Sequence, residues 1–565
     1  MRKHRRRLIH ISWWGGAGLG VLSLGWFLVT DGIEIGDQRA SIVGAVLAAV
    51  SIALSFLLRQ GDSDEKSRVS RQELFARHLC TLLDELANQE DWQDEKYTEL
   101  EAEVELEGGQ RRRWFSGRKT DALRRVGSLS KALRTSTERL ILLEGHPGSG
   151  KSIALRHVAY QLAQGARRSS SSDDVIALYV NLKSFRPQRP VTSAAVRDYV
   201  RDAINPGPSA DVDNYLDQEF GRRMEEGTWL FLFDSFDEIP DILSSTEADD
   251  TVNEFAEAIS EFLSEWTNCR GVLASREFRG PGRLGWPRFR ILRLTPKRRA
   301  ALVRRFRLRP EVERDLWTGL GKVRPEDEDR YETPLAMNLL CSYLRDTQRF
   351  PENPHEVMEK FVVSRVERDK ARIAERFGLE SDFVLRLAEE FAFAMVTVGL
   401  RADKTVLIGL AVEGEVGTLD EVTKGVIALT YSKLAHIENL GGVEELTFAH
   451  RRIQEYFTTR VLLRDSDRVP MDKLLSDQNW REAVVTILQT HPNDKVDTLV
   501  ETAGSLVTSK LPPTDATNFQ WPGGLDYLLQ LLTAGLRHRA TMLGPTVMGQ
   551  LSEFFACVWR KGRRH

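Results

Sequence analysis

From residue 139 to about 296, short and nearly continuous apolar runs alternate with stretches whose apolar residues recur at helical spacing. The runs are "RLILLE", "VIALYVNL", "TWLFLFD", "CRGVLAS" and "FRILRLT". A strand covered on both faces of a parallel sheet has no polar side, so it reads as such a run rather than as an alternation. Strands interleaved with helices predict a wound α/β sheet. "RRSSSSDD" at 167–174 and "FRGPGRLGWP" at 278–287 are loops by composition.

Beyond about residue 297 strands become scarce. "RRAALVRRFRL", "YETPLAMNLLCSYL", "HEVMEKFVVSRVERDKARIAERF" and "VLRLAEEFAFAMVTVG" predict amphipathic helices. "ENLGGVEELTFAHRRIQEYFTTRVLL" predicts a small hairpin followed by a helix, and the chain after 465 is helical with loops such as "KLPPTDATNFQWPGG". No repeat of 20–50 residues is sustained, which excludes a long solenoid. Ahead of the sheet, residues 61–137 are charged, with Leu74, Leu79, Leu82, Leu83 and Leu86 at helical spacing. They predict a helical stalk or linker whose acidic run is a solvated face.

Two further apolar runs open the chain. Residues 8–30 contain only His10 as an ionisable group, and residues 40–58 carry no charge. Each is near the ~20 residues a helix needs to cross a bilayer. Arg2, Lys3, Arg5, Arg6 and Arg7 precede the first, and Arg59, Lys66 and Arg68 follow the second. Between them Asp31, Glu34 and Asp37 face one basic residue, Arg39. Basic residues favour the cytoplasmic side, so the pattern predicts an N-terminal two-helix transmembrane hairpin in the inner (plasma) membrane, with both termini cytoplasmic. A cleaved signal peptide has a shorter apolar core and no second run. The small residues of "GGAGLG" and "GAVLAA" would let helices approach closely.

Composition narrows the picture. At 565 residues the chain exceeds one domain's worth of about 150 residues. Lys+Arg 79 against Asp+Glu 82 argues against a surface devoted to nucleic acid, and there is no direct nucleic-acid signal. Cys80, Cys269, Cys341 and Cys557 stand far apart with no CxxC. They form no zinc or disulfide framework and are expected as buried free thiols in a reducing compartment.

The chemistry lies in "GHPGSGKS", Gly145, His146, Pro147, Gly148, Ser149, Gly150, Lys151 and Ser152, set between "RLILLE" and "IALRHVAYQLA". It matches G-x-x-x-x-G-K-[ST], the phosphate-binding loop. The glycines let successive backbone N–H groups turn inward without Cβ clashes, and the following helix adds its positive N-terminal end. Lys151 is expected to reach the β and γ phosphates of ATP or ADP, and Ser152 to hold Mg²⁺. The apolar run 229–233 delivers Asp234 to a strand's C-terminal end, the second expected Mg²⁺ ligand.

After Asp234 come Ser235 and, two residues on, Asp237 and Glu238. Apolar run, Asp, small residue, any residue, Asp-Glu resembles the NACHT family of signal-transducing NTPases, within the STAND class of switch ATPases. Motor-type ATPases often place a glutamate directly after the metal-binding Asp; this chain has serine. The resemblance implies that Asp237 and Glu238 position metal or water, with Glu238 orienting the attacking water. "GVLASREF" looks like the family's sensor strand, with Arg276 near the γ-phosphate. "YETPLAMNLL" resembles the motif whose proline, here Pro334, packs on adenine, although the usual glycine two before it is Glu332. "LTFAHRRIQEYFTTRVLL" is similar to the winged-helix signature, in which His450 would contact the β-phosphate of ADP.

The expected architecture is therefore an α/β P-loop NTPase with a parallel sheet, followed by helical and winged-helix domains, with the hairpin at the front. Its boundaries are 1–60 hairpin (helices about 8–30 and 40–58), 61–137 stalk, 138–296 NACHT domain, 297–350 helical domain, 351–465 winged-helix-like domain and 466–565 C-terminal helical region, a sensor candidate. The family resemblance implies a switch closed with ADP and self-oligomerising with ATP once an unidentified trigger, expected to be a protein, acts. Hydrolysis would be a slow reset, and the biological setting bacterial regulation or antiviral defence. A membrane-tethered AAA-like motor and a nucleotide-bound scaffold without significant hydrolysis are the alternatives.

Overall fold

The computed structural model describes residues 67–88, 97–105 and 123–562 apart from short internal gaps. Ten strands are described: β1 (Ala102–Glu105), β2 (Leu123–Val126), β3 (Leu140–Glu144), β4 (Ile176–Asn181), β5 (Trp229–Asp234), β6 (Arg270–Ser275), β7 (Arg288–Ile291), β8 (Ala402–Asp403), β9 (Ala435–Leu440) and β10 (Val443–Phe448). The first seven form one sheet in the order β2-β1-β7-β3-β6-β5-β4. The five expected runs are its parallel part, β3 to β7.

Both faces of that part are covered, which explains the unbroken apolar runs. Ile141, Leu143, Ala177, Leu230, Leu232, Val272 and Ala274 share one core with Ala154, Leu155, Val158 and Ala159 of the helix Lys151–Arg168. The intervening residues Leu142, Leu178, Val180, Phe231, Phe233 and Leu273 share the opposite core with Phe255, Ile259 and Phe262 of the helix Ala248–Ser264. Strand parity therefore decides which helix layer a side chain meets. All six residues of β5, from Trp229 to the charged Asp234, are buried.

The segment expected to be a helical stalk departs from expectation. It is helical over 67–88 but supplies β1 and β2, which extend the sheet antiparallel beyond β7. In "LEAEVE", Leu100, Ala102 and Val104 are buried and the glutamates between them are not, the period of two that defines a half-buried strand.

C-terminal to the sheet the chain is mainly helical. β8, β9 and β10 form a three-stranded antiparallel sheet, order β8-β10-β9, followed by the helix Arg451–Arg464 as the sequence pattern predicts. Cys80, Cys269 and Cys341 are buried free thiols, and burial pushes the last two up to about 11 and about 12.

The membrane part of the expected fold is corrected. No helix among the described residues is long and apolar enough to cross a membrane. The runs at 8–30 and 40–58 lie outside the described residues. The transmembrane hairpin, the membrane as a partner and the inner-membrane location built on it are therefore withdrawn.

The chain falls into two compact units. The described part of the smaller is 67–74 with 168–173, where Gln72 Nε2 donates to the Ser171 carbonyl at 3.0 Å. The described part of the larger runs over 75–167 and 174–562, and the candidate site lies wholly in it.

Candidate functional site

The C-terminal ends of four adjacent parallel strands carry the polar residues. β3 leads into the glycine-rich loop, β6 into Arg276, β5 ends at Asp234, and β4 leads into Lys183. In open α/β sheets ligands bind at this edge. Because β6 is inserted between β3 and β5, Arg276 emerges between the phosphate-type loop and the Asp234 turn.

The loop has the backbone such a cradle needs. Gly148 and Gly150 have φ of 75° and 91°, a region that side chains with a Cβ rarely adopt. The Ser149 amide donates to the His146 carbonyl at 3.0 Å. Pro147 lies outside the described residues. Lys151 Nζ donates to the carbonyl of Gly145 at 2.7 Å, curling the loop around its own lysine. Burial pulls the Lys151 pKa below the usual lysine value, against the nearby carboxylate of Asp237. A Cβ on Gly148 would stand 3.2 Å from Leu335 Cβ, and one on Gly150 would stand 3.6 Å from Pro334 Cγ. Pro334, first residue of the helix Pro334–Thr347, therefore rests against the loop. Glu332, which replaces the family's glycine, pairs with Arg293 at 3.6 Å and Arg299 at 3.8 Å.

Asp234 is 1% exposed. Its Oδ2 accepts a hydrogen bond from the Tyr179 hydroxyl at 2.7 Å, while its Oδ1 is buried with no hydrogen-bond partner among the described residues. A buried carboxylate oxygen without a partner is costly unless something completes it. A hard oxygen donor at a strand end suits Mg²⁺, and the Ser152 hydroxyl, in the first turn of the helix that follows the loop, is a second oxygen donor. Among the described residues no group of three His, Cys, Asp or Glu side chains could hold a metal alone. The pair thus fits an Mg²⁺ that arrives with phosphate oxygens. Bound there, Mg²⁺ would neutralise phosphate charge; Ser152 and Asp234 would hold it.

Ser235 adopts φ 61° and ψ 40°, a left-handed conformation that costs a non-glycine residue energy. The strained turn folds the 3₁₀ segment Phe236–Glu238 back over the strand ends. Asp237 Oδ1 then accepts the Arg276 amide at 3.0 Å, and Asp237 Oδ2 lies 3.2 Å from Arg276 Nε. Glu238 pairs with Lys183 at 3.2 Å and Arg276 at 3.4 Å. Burial pushes the Glu238 carboxyl up, but Lys183, Arg451 and Arg276 outweigh it and hold it well below the usual carboxylate range.

Arg276 also faces the opposite way. Its Nη1 lies 3.5 Å from Glu455 of the helix Arg451–Arg464 and 3.6 Å from Glu482 of the helix Arg481–Thr490. Arg451 lies 3.4 Å from Glu455 and 3.9 Å from Asp237. Arg452 reaches Glu455 at 2.9 Å, and Arg481 reaches Glu482 at 2.6 Å. Four carboxylates and five cations thus share one poorly solvated cluster, and it joins the sheet edge to the C-terminal helices. Burial disfavours the Arg276 charge, but Asp237, Glu455, Glu482 and Glu238 raise its pKa further above the usual value.

His450 is the exposed N-cap of the helix Arg451–Arg464, where its Nδ1 accepts the Arg452 amide at 3.0 Å. That bond assigns the neutral ring's proton to Nε2.

Sequence reasoning named the loop, Asp234, Asp237, Glu238, Arg276 and Pro334, and the structure brings these together. It missed Tyr179, Lys183, Arg451, Arg452, Glu455, Arg481 and Glu482. One signal was present: two arginines in the first turn of a helix oppose its dipole, so they need a local reason. Their acidic neighbours supply it.

Residues 139–308 match the family model described as the NACHT domain. No curated protein matches the chain. Among solved structures, the Aeropyrum pernix ORC2 protein in its ADPNP-ADP complexes is 12% identical, covering 60% of this chain and 94% of that chain at a TM-score of 0.25. Its ADP form is 12% identical and covers 59% and 92% at a TM-score of 0.25. Drosophila ORC bound to DNA is 12% identical and covers 58% and 83%, also at 0.25. Likeness at that level decides nothing; the assignment rests on the domain match and on the motifs it spans. Over residues 139–308 the chain carries a NACHT-family P-loop domain, and it is a nucleotide-binding NTPase.

Proposed function

We propose that the protein is a nucleotide-controlled switch, closed around ADP and opened by exchange for ATP. The observation that supports this reading is the double commitment of Arg276. The residue expected to sense the γ-phosphate is held by Asp237 and Glu238 on one side and by Glu455 and Glu482 of the C-terminal helices on the other. A third phosphate would compete for the same guanidinium. Phosphate binding and the C-terminal contacts would then be mutually weakening, which is what a two-state device requires.

In this reading Lys151 and the glycine loop hold the diphosphate, Ser152 and Asp234 hold Mg²⁺, and Pro334 closes the loop from outside. His450 Nε2 offers a hydrogen bond to the β-phosphate. Glu238 orients water for slow hydrolysis, which resets the switch. Segments 138–296, 297–350, 351–465 and 466–565 serve as nucleotide domain, helical domain, winged helix and sensor. Opening would expose faces for self-association. A motor would need a glutamate poised for steady turnover; Ser235 follows Asp234 instead, and Glu238 is tied to Lys183 and Arg276.

The test is the nucleotide carried by gently purified protein, identified after denaturation, together with assembly size by light scattering. Stoichiometric ADP in the wild type, easier loss of ADP in His450→Ala, and larger assemblies with a slowly hydrolysed ATP analogue are the expected results. An empty site that turns ATP over steadily in both proteins, with no change in size, would replace the switch with a motor.

A further inference from the structure

The parallel pairing of β4 and β5 sets Tyr179 opposite Leu232 and Asn181 opposite Asp234. Residues two apart on a strand share a face, so Tyr179 and Asp234 project from the same side of the sheet. That side is covered by the helix Lys151–Arg168, whose Ala154, Leu155 and Val158 pack with Ala177, Leu230 and Leu232. Ser152 and Arg156 are four residues apart on that helix and hence stacked on one face, one turn apart.

Two buried groups, Arg156 and Asp234, meet through the half-buried Tyr179. Arg156, 2% exposed, donates from Nε to the Tyr179 hydroxyl at 3.1 Å, and its guanidinium stands 5.3 Å from the Tyr179 ring centre. The hydroxyl in turn donates to Asp234 Oδ2 at 2.7 Å. Its single proton is therefore spent on the carboxylate, and one of its lone pairs on the arginine. Asp234 Oδ1 is left as the oxygen with no partner among the described residues.

A carboxylate at the end of a strand can rotate about its Cβ–Cγ bond, a broad and soft torsion. Here one oxygen is pinned by a short hydrogen bond whose donor is itself backed by a cation. We propose that Tyr179, supported by Arg156, is a positioning residue that fixes the rotation of Asp234 and presents Oδ1 to the nucleotide's Mg²⁺. The proposal rests on the reading of Asp234 as a metal ligand. Tyr179 touches neither metal nor phosphate; it acts through Asp234, as partners of metal ligands commonly do, with losses of 10- to 100-fold in metal affinity when removed.

The measurement is equilibrium binding of a fluorescent ADP analogue, titrated with MgCl₂ and repeated in excess EDTA, with thermal denaturation alongside. Tyr179→Phe keeps the ring over Arg156 and removes only the hydroxyl. It is expected to raise the Mg²⁺ concentration for half-maximal tightening by about 10-fold, while EDTA binding stays at the wild-type level. In an Asp234→Asn background, Tyr179→Phe should add no further change, because the group it positions is no longer a carboxylate.

An unaltered Mg²⁺ midpoint in Tyr179→Phe, with Asp234→Asn strongly shifted, overturns the positioning role and leaves the metal assignment standing. An unaltered midpoint in Asp234→Asn itself overturns the metal assignment instead. Equal weakening of binding with and without Mg²⁺ in Tyr179→Phe identifies a purely structural tyrosine and also overturns the proposal. If Tyr179→Phe folds poorly, Arg156→Lys provides the second variant. It keeps the charge but loses the planar donor behind the hydroxyl, and it is expected to shift the Mg²⁺ midpoint in the same direction by a smaller factor.

Discussion

Glu482 offers a clean perturbation of the proposed latch. It lies on the helix Arg481–Thr490, far along the chain from every nucleotide motif, and meets the sheet edge through Arg276. At 3.6 Å the Glu482–Arg276 contact is longer than an ordinary N–H···O hydrogen bond, so its attraction is mainly Coulombic. Unit charges at that separation attract by ~4–5 kcal/mol at an effective dielectric near 20. Part of this is offset, because Glu482→Gln also relieves repulsion from the neighbouring Glu455 and returns less desolvation cost. About 2 kcal/mol is left for holding the C-terminal helices against the sheet edge, which corresponds to roughly a 30-fold shift of the open–closed equilibrium. The assay is the dissociation rate of a fluorescent ADP analogue by stopped flow, with thermal denaturation as a check of folding. Dissociation about 30-fold faster than wild type is expected, with little salt dependence because the cluster is poorly solvated. A wild-type rate in a fully folded Glu482→Gln protein would refute the reasoning, since the contact would then have no hold on the nucleotide.

Acidification should act on the same carboxylate. Burial pushes the Glu482 carboxyl up, but Arg276, Arg452, Arg481 and Arg451 outweigh it and bring it down to about 2 from an ordinary 4.5. A carboxyl whose pKa is lowered in the closed state contributes fully above its ordinary pKa, and the contribution fades as pH falls towards the lowered one. ADP release is therefore expected to accelerate as pH drops from 5 to 3 in the wild type and to respond less in Glu482→Gln; identical profiles would count against this. At Gly150, alanine must adopt φ 91° and bring its Cβ to 3.2 Å from Leu100 Cδ1. Gly150→Ala is expected to weaken ADP binding at least 100-fold by calorimetry, through a backbone cost of about 2 kcal/mol in the closed loop and loss of the cradle's shape; wild-type affinity would show that the loop has another use.

How much of this was legible in the chain follows from the physics of each signal. The glycine-rich loop could be read because its requirement is local: positive φ at Gly148 and Gly150, a strand before and a helix after. The five parallel strands could be read because burial on both faces removes polar residues from them. β1 was missed although "LEAEVE" alternates with a period of two, because high charge made the whole segment look like a solvated helix. The hairpin expectation rested on the length of two apolar runs and on the basic residues flanking them, and no helix among the described residues is long and apolar enough to cross a membrane.

By itself, then, the sequence determined the local devices: the phosphate-type loop, the Asp234 strand end, the displaced acidic pair Asp237 and Glu238, and the alternation that makes a wound sheet. Only the tertiary structure decided which distant groups complete them. Insertion of β6 between β3 and β5 is what sets Arg276 between the loop and the acidic turn. Packing of the C-terminal helices is what brings Glu455 and Glu482 to that arginine. Pairing of β4 with β5 is what puts Tyr179 beneath Asp234. Backbone conformation and burial period are written in neighbouring residues, whereas a charge partner 179 to 206 positions away is chosen by strand order and helix packing, which no local pattern records.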